Sequence, residues 1–357
     1  MSRSDGMNYA PQGKPNPVVA PGEFQFAAIA LDHGHVYGMC NGLIEAGGEL
    51  VYVYDSDPEK VDRFLQRYPH VKAANSEEEI FADPRIQLVA SAAITSERCA
   101  LGLRVMRAGK DYFTDKAPLT TIQQLEDAKR AAAETGRKYM VYYSERLHCE
   151  GALFAGQLIE QGAIGRVVQV MGWGPHRLNA KSRPEWFFER EKYGGIICDI
   201  GSHQIEQFLS YTGAKDAKVV QSRIANYHNK QFPELEDYGD VMLTGDNGAA
   251  AYFRVDWLTP DGLSSWGDGR TLILGTDGYI EVRKNLDLAL NPEGDQVYMA
   301  NQEGEYRFSV KGQVGYPFFG QLILDCIHRT ENAMTQEHAF KAAELSVLAQ
   351  NLAVRME

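Results

Sequence analysis

Between residues 24 and 145 short apolar runs alternate with amphipathic stretches, and this alternation restricts the fold more than any other feature of the 357-residue chain. An apolar run at 24–30 is followed by Val36, Met39, Cys40, Leu43 and Ile44 at helical spacing, stopped by Gly47-Gly48. A second run at 50–54 leads into Asp57-Pro58, a helix cap and a first-turn proline, with Val61, Phe64 and Leu65 as the inner face. Ser76-Glu77-Glu78-Glu79 and Thr121-Ile122-Gln123-Gln124 read as capping boxes, and residues 86–90, 111–114 and 138–143 as further strands. Strands and helices of these lengths need right-handed crossovers, so 24–145 is expected to be an α/β domain with a mostly parallel, doubly wound sheet.

On either side of that block the pattern changes. Residues 1–23 contain Pro11, Pro15, Pro17, Pro21 and three glycines with no periodic apolar face, and are read as an irregular N-terminal arm outside the fold. Residues 146–357 are read as an α+β domain for substrate binding and oligomerisation. Its β-rich runs are joined at Asp246-Asn247-Gly248, Thr276-Asp277-Gly278 and Gln302-Glu303-Gly304, the hairpin chemistry of an open, mainly antiparallel sheet. Helical stretches at 318–329 and 338–354 are candidates for packing back on the first domain.

Composition excludes several function classes. With 44% hydrophobic and 24% charged residues the chain is not globally disordered, and a net charge of −12 disfavours nucleic acid and anionic lipid as partners. The five cysteines lie far apart without a C-x-x-C pair, which argues against a disulfide framework or a zinc cluster and for a reducing compartment. There is no run of membrane-span length and no secretory signal pattern, so a cytoplasmic protein acting on a small molecule is expected.

Three segments carry chemistry. The first strand–helix turn, Ala30-Leu31-Asp32-His33-Gly34-His35-Val36-Tyr37-Gly38, lies where a doubly wound fold holds a pyrophosphate on helix N-terminal amides, although only Gly34 and Gly38 supply glycine. The second strand ends in Asp55, whose carboxylate can accept ribose hydroxyls and repel a 2′-phosphate, favouring NAD over NADP; it can equally cap a helix. Asp115-Lys116-Ala117-Pro118 falls at the carboxyl edge of the sheet, where a lysine can donate to a substrate oxygen. In Gly194-Gly195-Ile196-Ile197-Cys198-Asp199-Ile200-Gly201-Ser202-His203, Asp199 and His203 are spaced i, i+4, either a carboxylate orienting an imidazole for acid/base work or a helix cap beside a core histidine. His33 and His35 alone are too few ligands for a metal, and none is expected.

Taken together these segments resemble the Gfo/Idh/MocA family of NAD(P)-dependent sugar and inositol oxidoreductases, from residue 24 over nearly the whole chain. Residues 115–119 are similar to its Glu-Lys-Pro motif, 194–203 to its G-G-x-x-x-D-x-G-x-H motif, and Gln161-Gly162-Ala163-Ile164-Gly165 to the loop before its sheet domain. Departures are the degraded glycine fingerprint, Ala117 between Lys116 and Pro118, and Thr95-Ser96-Glu97-Arg98 in the cofactor loop. The resemblance implies a Rossmann-like first domain and a homodimer or homotetramer. It also implies hydride transfer between a secondary alcohol of a sugar or polyol and NAD, with Lys116, Asp199 and His203 as the catalytic set. Asp32, His33, Gly34, His35, Asp55, Ala93, Ser96, Asp115 and Lys116 would hold the cofactor, and Arg146, His176, Arg177 and Trp186 are candidates for the carbohydrate. Rival readings are glycoside cleavage through transient oxidation and a non-catalytic dinucleotide-sensing regulator.

Overall fold

The computed structural model describes residues 5–357, and the first four residues of the arm lie outside them. The chain divides into two compact units. One comprises Met7–Tyr142 and Tyr316–Phe340, the other the residues up to Gly6, Tyr143–Gly315 and Lys341–Glu357. Residues 7–23, set apart as an arm on sequence grounds, cluster with the first unit, and so does the segment 316–340.

In the first unit β1 (Gln25–Ile29), α1 (His35–Glu45), β2 (Glu49–Tyr54), α2 (Pro58–Arg67), β3 (Lys72–Ala73), α3 (Glu77–Ala82), β4 (Ile86–Ser91), α4 (Arg98–Arg107), β5 (Asp111–Asp115), α5 (Ile122–Thr135) and β6 (Tyr139–Tyr142) follow in turn. The strands form one parallel sheet in the order β3-β2-β1-β4-β5-β6, which reverses direction between β1 and β4, the place where such sheets open a ligand crevice. Local chemistry sets the ends: Asp57 accepts from Glu59 N at 2.9 Å, Thr121 accepts from Gln124 N at 3.2 Å, and Gly136, at φ 64°, ends α5 in the left-handed conformation. The arm gains its order by running along α1: Asn41 Nδ2 donates to Pro11 O at 3.3 Å, Gly13 N to Glu45 Oε1 at 2.8 Å, Asn16 N to Glu45 O at 2.8 Å and Val18 N to Ala46 O at 2.9 Å.

The second unit opens with α6 (Ser144–Leu147) and α7 (Glu150–Glu160), then β7 (Val167–Pro175), α8 (Arg190–Tyr193), a π-helical turn at Ile197–Gly201 and α9 (Ser202–Thr212). There follow β8 (Ala217–Ala225), β9 (Tyr238–Gly245), β10 (Ala250–Asp256), β11 (Arg270–Gly275), β12 (Gly278–Arg283), β13 (Gln296–Asn301) and β14 (Gly304–Ser309). After α10 (Pro317–His328) and α11 (Gln336–Asn351) the chain ends with β15 (Val354–Arg355). The nine-stranded sheet, β14-β13-β12-β11-β7-β10-β9-β8-β15, is antiparallel except at β7/β10 and β8/β15. Its β9/β10, β11/β12 and β13/β14 hairpins turn at the three glycine-bearing segments read from the sequence. Trp173, Met242, Leu274 and Tyr279 on its strands stand exposed.

Candidate functional site

In the first unit the candidate residues gather at the carboxyl ends of β1, β2, β4 and β5. Ala30 has φ 62°, the left-handed conformation for which a dinucleotide-binding turn uses glycine, so the tight turn persists although the residue has changed. Both oxygens of Asp55 accept backbone amides, Leu31 N at 2.7 Å and Asp57 N at 2.8 Å, pinning the end of β2 to the first turn. Lys60, which carried no signal in the sequence, reaches across with Nζ 2.5 Å from Asp32 Oδ1 and 3.7 Å from Asp55 Oδ1. Burial alone would lower the Lys60 ammonium, but the hydrogen bond and charge of Asp32, with Asp55 beside it, outweigh that and raise it. Two carboxylates therefore share one cation at the end of β2.

Asp115 closes β5 and is fully buried. Its Oδ1 accepts from His35 Nδ1 at 2.9 Å and from the Lys116 amide at 2.8 Å, while Oδ2 lies 3.4 Å from His33 Nδ1 and 3.3 Å from Arg98 Nη2. Burial opposes ionisation, yet His35, Arg98 and His33 together hold the carboxyl far below the usual range. His33 is pushed well below the ordinary imidazole value, by burial first and by His35 second, and stays neutral. The reason given above for expecting no metal needs correcting: Asp115, 80 residues away, joins His33 and His35 as a third ligand-type group, with ligand atoms within 4.8 Å of one another. Arg98 already holds that carboxylate, so the cluster is charge-balanced by protein groups. Arg98 also donates to Ala93 O at 2.8 Å, to Ala117 O at 2.9 Å and to Lys116 O, joining the ends of β4 and β5. The Lys116–Ala117 peptide is cis, one bond before Ala117–Pro118.

These residues fit a dinucleotide. The sheet has the required order, and Gly34 caps α1 with no side-chain hydrogen bond and no acid in the first turn, leaving the positive end of that helix for an anion. Ala93 is buried, and the Ser96 carbonyl is taken by Gln124 Nε2 at 2.8 Å.

In the second unit Gly194 (φ 87°) and Gly195 (φ 94°) make the left-handed entry that only glycine adopts without strain. Helical structure then starts because Glu236 accepts from Ile196 N at 2.9 Å and Gln350 from Ile197 N at 2.8 Å, so the caps come from distant side chains and Asp199 is free of that task. Asp199 and His203 lie on one continuous helical stretch, 7% and 2% exposed. A buried cluster missed in the sequence reading adjoins them: Glu145 Oε2 accepts from Lys284 Nζ at 2.7 Å and Gln204 Nε2 at 2.9 Å, with His176 Nε2 3.9 Å from Oε1. Burial would raise the Glu145 carboxyl, but the charges of Lys284, His203 and His176 draw it down to about 2. Glu145 follows directly on β6 and could have been found by the carboxyl-edge argument that found Lys116; nothing local marks Lys284.

The carbohydrate candidates separate. His176 donates from Nδ1 to Gly174 O at 3.1 Å and packs on Trp266 at 4.5 Å. Arg177 is held by Leu263 O at 2.8 Å and Pro260 O at 3.2 Å. Arg146 forks onto Glu206 at 2.8 and 2.9 Å, and Trp186 is core, edge-on to Phe187.

Comparison with known proteins agrees with this geometry. Residues 27–143 match the model of the oxidoreductase family with an NAD-binding Rossmann fold, and residues 153–281 that of the GFO/IDH/MocA C-terminal domain. A crystal structure from Erwinia carotovora atroseptica SCRI1043 is 53% identical, with TM-score 0.91, over 94% of this chain and 100% of that one. A D-xylose dehydrogenase of Paenarthrobacter nicotinovorans is 24% identical over 57% of this chain and 52% of its own length. The NADP+-dependent scyllo-inositol 2-dehydrogenase of Bacillus subtilis strain 168 is 29% identical over 51% of each. The chain thus spans about half the length of these two curated relatives. Both domain models, in this order and on these two units, show that the chain belongs to the Gfo/Idh/MocA family of oxidoreductases.

Proposed function

We propose that the chain is an NAD-dependent oxidoreductase that moves a hydride between a secondary alcohol carbon of a sugar, sugar derivative or inositol-type polyol and the nicotinamide. The observation that carries this reading is the pairing of His203 and Asp199, nearly buried on one helical stretch, with an ionised Glu145 near enough to be stabilised by His203. The dinucleotide supplies the hydride acceptor when bound. His203 takes the proton of the alcohol oxygen, Asp199 orients the imidazole, and Lys116 donates to the same oxygen. Asp32, His33, Gly34, His35, Asp55, Ala93, Ser96 and Asp115 shape the cofactor side. NAD is favoured because two carboxylates at the end of β2 outnumber the single Lys60 ammonium and oppose a 2′-phosphate. A sister subunit would cover the exposed apolar residues of the nine-stranded sheet.

Reduction of NAD by a sugar and polyol panel tests the reading, with product analysis separating net oxidation from glycoside cleavage. His203→Ala, Asp199→Ala and Lys116→Ala should each cut turnover on an accepted substrate by about 10²–10⁴-fold while NAD binding persists. Unchanged turnover in His203→Ala would remove it from the mechanism. Equal or tighter NADP binding in calorimetry would overturn the NAD preference, and Lys60→Ala should widen the preference.

A further inference from the structure

The second unit holds a cleft that the proposed chemistry does not use. Residues 177–181, 228–231 and 257–261 enclose about 1170 Å³, more than the roughly 300–1,000 Å³ of ordinary small-molecule pockets. Its walls are fixed by buried polar groups. Asp5, 2% exposed, accepts from Asn179 Nδ2 and Ser182 Oγ, both at 2.9 Å, and Arg183 Nε donates to Leu178 O at 2.9 Å. The Asp237 carboxylate holds the His228 and Asn229 amides at 2.7 and 3.0 Å, while its carbonyl accepts from Trp257 N at 2.9 Å, so the second and third walls share one anchor.

Within these fixed walls the hydrogen bonding is incomplete. The Trp257 indole N–H, on a side chain 4% exposed, and the buried Thr259 hydroxyl have no partner. An indole N–H can only donate, and leaving it unpaired in a buried place is costly, so the arrangement calls for a ligand oxygen. At the mouth Lys181, His228 and Gln231 are exposed. Donors and acceptors therefore stand among apolar Leu178 and Pro260, and the carboxylate of Asp261 offsets the Lys181 charge. This mixture suits an uncharged, hydroxyl-rich ring better than an anion. The cleft is also linked to the proposed acid/base residues: the Trp257 ring meets His176 edge-on at 5.3 Å, and His176 faces Glu145.

We infer that the cleft binds the non-reacting sugar ring of a glycoside or oligosaccharide whose other ring is oxidised. The inference rests on the oxidoreductase reading above for the identity of the reacting ring, and the test separates the two. Calorimetry would compare cellobiose, lactose and maltose with glucose and galactose, on the wild type and on Trp257→Phe, Thr259→Val and Lys181→Ala, with NAD reduction followed in parallel and folding checked by circular dichroism. At least one disaccharide should bind about 10-fold more tightly than its component monosaccharides, and Trp257→Phe, which keeps the ring and drops the N–H, should weaken it by about 5-fold while leaving monosaccharides unaffected. Should that variant not fold, Thr259→Val carries the same expectation. Monosaccharide oxidation without any disaccharide preference, or a preference that none of the three variants reduces, overturns the cleft and leaves the redox reading standing. Variant-sensitive disaccharide binding without NAD reduction by any sugar supports the cleft and overturns the redox reading.

Discussion

Asp115 shows how a single residue can be both obvious and hidden. Its place after an apolar strand marks it in the sequence, but its partners come from three other segments: His33 and His35 from the first turn, Arg98 from α4. Because Arg98 is 1% exposed, Asp115→Asn would leave a guanidinium buried without its anion, a loss expected at about 3–5 kcal/mol in denaturant unfolding. His33 sets the accompanying pH dependence. Its folded value lies below the unfolded imidazole value of 6.5, so in the window beneath 6.5 the unfolded chain binds more protons and stability rises with pH. Unfolding free energies measured down from pH 6.5 should therefore fall, and His33→Asn should flatten that part of the curve. Glu145 has the carboxylate counterpart: its stabilisation is complete above 4.5 and is lost as pH falls toward about 2, so Glu145→Gln should remove that portion of the acid slope.

At the scale of elements, α1 is packed from two sides. Residues 11–18 run along it, and α10 packs against it at Gly42, where an added methyl group would fall on the ring of the buried Phe319. Two effects compete in Gly42→Ala. Helix propensity gains about 1 kcal/mol, whereas an aromatic ring enclosed by Phe113, Tyr142 and Phe318 must move, at a cost of about 1–3 kcal/mol. The steric term is expected to prevail, giving a lowered thermal midpoint; a raised midpoint would show that Phe319 can yield. The helix carrying His203 illustrates the same dependence on neighbours, since its first amides are satisfied by Glu236 and Gln350 and its entry by two left-handed glycines.

Over the whole molecule, the chain leaves the first unit at Tyr142 and returns to it at Tyr316. The returning segment completes an otherwise open edge. The Gln336 amide accepts from Tyr139 N at 2.8 Å and donates to Tyr139 O at 2.7 Å, doing for β6 what another strand would do, and Arg329 forks onto Asp111 at 2.6 and 2.8 Å. A chain ending at residue 315 would expose that edge together with the aromatic faces of Phe113 and Tyr142. It is expected to lose cooperative melting and to aggregate. Residues 7–142 joined to 316–340 by a flexible linker should instead fold, with protected amides on β5 and β6 by hydrogen exchange; equal protection without 316–340 would sink the idea.

Periodicity, caps and turn residues act over a few positions, and so the sequence alone determined the strand–helix alternation, the parallel and antiparallel sheets, the hairpin turns, and the segments bearing Asp115-Lys116 and Asp199-His203. Tertiary structure decided what those side chains meet. Lys60 between Asp32 and Asp55, Asp115 against two histidines 80 residues earlier, Lys284 on Glu145 across 139 residues and Gln336 on Tyr139 across 197 have no local spacing to announce them. Each is a buried or half-buried polar contact that gains its strength from the low dielectric around it, and that surrounding exists only once the distant segments have closed on one another.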